Sequence, residues 1–93
     1  MSAIINLYSD KSGDIKNFLK DFYQKEIILN NNLKWEKEFN NPIDCIELIS
    51  SVIDNNDEFK INAWLSIDDG IFINVTSSNL DEIIRYLYER YPY

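Results

Sequence analysis

Apolar residues recur along this chain with two different periods, and each period predicts a different element. Ile15, Phe18, Leu19, Phe22 and Tyr23 follow one another at i, i+3, i+4, i+7 and i+8, while Lys16, Lys20 and Asp21 point away from them. That spacing lays one continuous apolar stripe along a helix. Ser12 or Gly13 opens it, and Asp14 brings a negative charge to the first turn, where the helix dipole favours one. A second stripe, Cys45, Ile46, Ile49, Val52 and Ile53, follows Asn41-Pro42. Asn caps well, Pro is preset for the first helical position, and Pro also biases the residue before it away from helical geometry. The polar run Asp54 to Glu58 ends that helix. The third stripe is Leu80, Ile83, Ile84, Leu87 and Tyr91. Ser78 or Asn79 caps it, Asn79 and Glu82 have the spacing of a capping box, and Pro92 stops it.

Period two marks the strands. Ala3 to Tyr8 is a short apolar run closed by Ser9-Asp10. Leu33, Trp35 and Phe39 alternate with Lys34, Glu36 and Glu38, interrupted by Lys37; so charged a strand suits a sheet edge. The clearest signal is a β-hairpin, in which Ile61, Ala63, Leu65 and Ile67 alternate with Lys60, Asn62, Trp64 and Ser66. After Asp68-Asp69-Gly70, Ile71, Ile73 and Val75 alternate with Phe72, Asn74 and Thr76. A two-residue turn would mix the two faces. A three-residue loop, with Gly70 in the left-handed position as a bulge, pairs Ile67 with Ile71 and Leu65 with Ile73, which keeps every aliphatic side chain on one face and is therefore the predicted register. The order β-α-β-α-β-β-α predicts an α+β fold: one domain over residues 1–93, a four-stranded mixed sheet with helices mainly on one face.

Composition narrows the function classes. The formal net charge is −7, but it is unevenly spread: residues 1–35 sum to +1 and residues 36–93 to −8. Affinity for nucleic acid rests on Lys and Arg displacing counterions, so a nucleic-acid partner is disfavoured; a basic protein partner is allowed, although solubility alone accounts for the charge. Cys45 is the single cysteine, so no internal disulfide forms. No apolar run has the length of a signal or a membrane span, and the expected location is the cytoplasm with no membrane partner.

Candidate chemistry is thin. There is no His, which removes Ser-His and Cys-His pairs and imidazole metal sites. Gly13 and Gly70 are too far apart for a phosphate loop. Asp54 to Glu58 offers oxygen ligands at alternate positions, but Phe59 and Leu65 stand where a calcium loop needs Gly and Glu. Cys45 lies on a buried stripe and is expected to be inert. The sequence thus predicts no catalytic residue, no metal ligand and no cofactor.

What remains is surface. If the aliphatic side of the hairpin is core, its other side carries Asn62, Trp64, Phe72 and Asn74, with the two aromatic residues diagonal neighbours. Exposed rings beside amide side chains form the kind of patch that protein partners use. Tyr86, in the Tyr-rich last helix, marks a second candidate surface. The expected function is a non-catalytic interaction module that binds another protein, self-associates as a homodimer, or inhibits a basic partner through the acidic stretch 36–58. The alternatives are a small-ligand-binding domain and a carboxylate-dependent enzyme, which would need a cleft where acids converge.

Overall fold

The computed structural model describes residues 2–68 and 70–90. It contains β1 (Ala3–Tyr8), α1 (Asp14–Tyr23), β2 (Lys34–Phe39), α2 (Pro42–Asp54), β3 (Asn62–Ile67), β4 (Ile71–Val75) and α3 (Leu80–Arg90). The expectations placed on Tyr91, Pro92 and Asp69 fall outside the described residues.

The element order is the predicted one and the fold is α+β, but the sheet is antiparallel throughout rather than mixed. Its strand order is β2-β1-β3-β4. The reason lies in the segment 24–33. Ten-residue α1 carries the chain back by about 15 Å. Segment 24–33, about 30 Å long when extended, then returns it to the far end of β1. There β2 starts beside the end of β1, with Lys34 opposite Tyr8 and Phe39 opposite Ala3. The Ser9 amide donates to the Leu33 carbonyl at 3.0 Å and extends this ladder. Helix α2 then crosses over β1, so β3 runs parallel to β2 but pairs antiparallel with β1 lying between them.

Helix boundaries follow local chemistry. Gly13 opens α1 with a left-handed φ of 98°, and Gln24 closes it, also left-handed, at φ 58°. At α2 the Asn41 side chain accepts from the Ile43 amide at 2.8 Å and Pro42 occupies the first turn, as the sequence predicts. Asn79 behaves differently. Its carbonyl accepts the first helical bond, from the Ile83 amide at 3.0 Å. Its side chain turns back, accepting from the Thr76 amide and donating to the Asn74 carbonyl, each at 2.8 Å, so the strand-to-helix turn takes the atoms a capping box would use.

All three helices cover one face of the sheet. From the strands, the core takes Ala3, Ile5, Leu7, Ala63, Leu65, Ile67 and Val75, which share that face. From the helices it takes Ile15, Phe18, Leu19, Leu48, Ile49, Val52, Ile83 and Leu87. Leu48 is fully buried although it lies off the predicted stripe, while Ile53 is only half-buried. Central α2 has flanking helices on both sides, so a wider arc of its surface is covered than one stripe.

Candidate interaction surface

Burying odd-numbered residues of β1 and β3 turns the even-numbered ones to the other side, where no helix lies. Three cross-strand rows result. Lys34, Tyr8 and Asn62 form the first; Glu36, Asn6, Trp64 and Asn74 the second; Glu38, Ile4, Ser66 and Phe72 the third. The hairpin has the predicted register, Ile67 with Ile71 and Leu65 with Ile73. The left-handed residue of its loop is Asp68, at φ 51°, and not Gly70 as the sequence predicts; the short polar side chain of Asp tolerates that conformation.

Trp64 and Phe72 stack on this open face. Their ring centroids are 4.8 Å apart and the planes differ by 15°. Phe72 is 58% exposed and Trp64 is half-buried. Asn74 fixes the neighbouring row by donating from its side chain to the Ala63 carbonyl at 3.0 Å, and Asn62 stands exposed at the end of β3. At the other margin, Lys34 places its ammonium 5.7 Å from the Tyr8 ring centroid. Exposed Glu36 and Glu38 give that margin its negative charge.

Four of the five sequence-predicted site residues therefore share one face. Tyr86 does not. It lies on the helix side, half-buried against the core, with the Arg90 guanidinium 5.7 Å from its ring. The sequence reasoning missed Ile4, Asn6 and Tyr8. Their signal was present in the alternation of β1, but the adjacent Ile4-Ile5 hides it, and the neighbours of β1 had to be known to place them.

No known family model, curated protein or solved structure matches this chain.

A cleft of about 620 Å³ lies at the opposite end of β2, lined among others by Tyr23, Lys37, Phe39, Asp44 and Glu47. It explains why Lys37 interrupts the alternation of its strand. Its ammonium sits 5.1 Å from the Tyr23 ring and 5.3 Å from the Phe39 ring. The Tyr23 hydroxyl is buried and has no hydrogen-bond partner among the described residues. Burial, and then the nearby Asp44 charge, raise its pKa. No group of three or more Cys, Asp or Glu side chains that could hold a metal ion stands among the described residues. Cys45 is fully buried, and burial pushes its thiol up to about 12, the opposite of what a reactive thiolate needs. Among the described residues, no helix is long and apolar enough to cross a membrane.

Proposed function

We propose that this protein is a non-catalytic interaction module that binds a basic protein through the open face of its sheet. The observation that carries the reading is the stacked Trp64–Phe72 pair on a face that no helix covers. Rigid aromatic residues give large contact area at small entropic cost and dominate the energetics of protein interfaces. Exposed Glu36 and Glu38 at the margin, with the balance of −8 over residues 36–93, complement a partner that presents Lys or Arg around an apolar centre. Four strands of about six residues span roughly 20 by 19 Å, close to 400 Å² in projection. That is the scale of a weak or transient contact, about half of what a standard interface uses on each side.

The test compares the tagged protein with its Trp64→Ser/Phe72→Ser variant as bait in the native extract, after circular dichroism has shown the variant to be folded. A basic protein retained by the native form, released by the variant and weakened by salt supports the reading. Equal retention by both forms, or retention of acidic proteins only, overturns it.

A further inference from the structure

The two edges of the sheet are unlike. The β2 edge is charged, with Lys34, Glu36, Lys37 and Glu38 all exposed. Charge of this kind keeps an edge strand from pairing with other chains. The β4 edge, Ile71-Phe72-Ile73-Asn74-Val75, carries neither charge nor proline. Ile71 is 41% exposed on the helix side and Phe72 58% exposed on the open side. Consecutive residues of one strand thus expose apolar surface on opposite faces of the sheet. A helix or a flat patch covers one face only; an added strand, whose side chains alternate, covers both.

We infer that β4 pairs antiparallel with β4 of a second copy of this chain across a two-fold axis, joining two four-stranded sheets into one of eight strands. This edge shares Phe72 with the open face, but the inference rests on the exposure and pattern of β4 and stands without the function proposed above. Two observations select a second copy as the occupant. The first is pattern. An antiparallel pair centred on Phe72 sets Ile71 opposite the second copy's Ile73, so aliphatic side chains again meet on the helix side and the phenyl rings on the open side. The second is charge. A groove of about 350 Å³ runs between β4 and α3, lined by Ile71, Ile73, Ile83 and Tyr86 together with Glu82, Arg85 and Glu89. Arg85 has an acid three residues before it and another four after it, and all three are exposed. Two α3 helices facing each other across the axis bring the base of each copy to an acid of the other.

Sedimentation equilibrium of the 93-residue chain reads the outcome directly, because the monomer mass is 11.0 kDa. The native chain is expected to reach twice that mass at high micromolar concentration. Ile71→Lys and Phe72→Lys, one on each face, should each raise the dissociation constant by about tenfold or more, whereas Glu36→Lys and Glu38→Lys, on the far edge of the sheet, should leave it within about threefold. Arg85→Glu makes the α3 seam all acidic, and Glu82→Arg/Glu89→Arg makes it all basic. Each of these should dimerise more weakly than the native chain, and an equimolar mixture of the two should form a heterodimer. A native chain that stays at 11.0 kDa into the millimolar range overturns the inference, as does a dimer that Glu36→Lys dissociates and Ile71→Lys does not.

Discussion

The stacked pair on the open face makes a quantitative prediction that separates a surface pair from a core pair. Phe72 is 58% exposed, so about two-fifths of its side chain is covered. For an aromatic residue of about 200 Å² this amounts to roughly 80 Å² withdrawn from water. At about 25 cal/mol per Å², Phe72→Ala should cost at most about 2 kcal/mol. Leu65, fully buried on the other face of the hairpin, should cost about 3–5 kcal/mol when cut to Ala, because a cavity remains. The stack itself is isolated by a double-mutant cycle on Trp64→Ala and Phe72→Ala. With centroids 4.8 Å apart and nearly parallel rings, the coupling should be about 0.5–1.5 kcal/mol. Urea unfolding followed by far-ultraviolet circular dichroism is the suitable assay, since Trp35 confounds fluorescence, and low micromolar protein keeps self-association out of the equilibrium. A coupling below about 0.3 kcal/mol would mean that the rings do not stack. A Phe72→Ala cost above about 3 kcal/mol would mean that the residue is covered, and the surface assignment would fail.

Local and electrostatic features make three further predictions. Asn41→Ala removes the side-chain acceptor of the Ile43 amide and should lower stability by about 1 kcal/mol, with Asn41→Asp recovering most of it; equal urea midpoints for Ala and Asp would contradict the cap. Gln24→Gly relieves a left-handed backbone at φ 58° but loses the bond from its Nε2 to the Asp21 carbonyl, so a net gain of about 0.5 kcal/mol is expected as a rise in Tm. The Cys45 thiol keeps its proton in the folded chain up to about pH 12, whereas the unfolded chain releases it near pH 9, its ordinary value. Between these values the unfolded state binds fewer protons, so stability should fall as pH rises, by up to about 1.4 kcal/mol per pH unit. Cys45→Ala should flatten that slope, leaving the contribution of Tyr23, and an unchanged slope would show that the thiol is not desolvated.

The proposed edge pairing bears on the proposed function. One open face of roughly 400 Å² suits a weak contact, but a continuous eight-stranded sheet doubles it to roughly 800 Å², the usual contribution of one partner to a stable complex. If both hold, partner binding should tighten with the protein's own concentration, and the Ile71→Lys variant should bind more weakly although its Trp64–Phe72 stack is intact. That dependence can be read by titrating the identified partner against native and Ile71→Lys protein.

Much of this molecule is decided within a few residues of chain. The three helices and the hairpin follow from apolar periods of 3.6 and 2, and the hairpin register follows from keeping Leu65 and Ile73 on one side. Asn41-Pro42 marks a helix start by steric and hydrogen-bonding rules that involve no distant residue. The tertiary structure decided whatever depends on which segments become neighbours. Strand direction turned on segment 24–33 doubling back along the sheet, and neither its length nor its composition encodes that path. Lys37 interrupts an otherwise alternating strand because Tyr23, remote in sequence, joins Phe39 on the same strand in supplying rings for its ammonium. Asn79 prefers the turn behind it to the helix ahead because Asn74 and Thr76 are already held in place there. The open face itself is assembled from alternate residues of four strands, so Trp64 and Phe72 were legible as a local pair, while Ile4, Asn6 and Tyr8 joined them only once β1 lay beside β3. Periodicity is written in neighbouring residues; adjacency in a sheet is the outcome of burying all the stripes at once, and only the folded chain solves that problem.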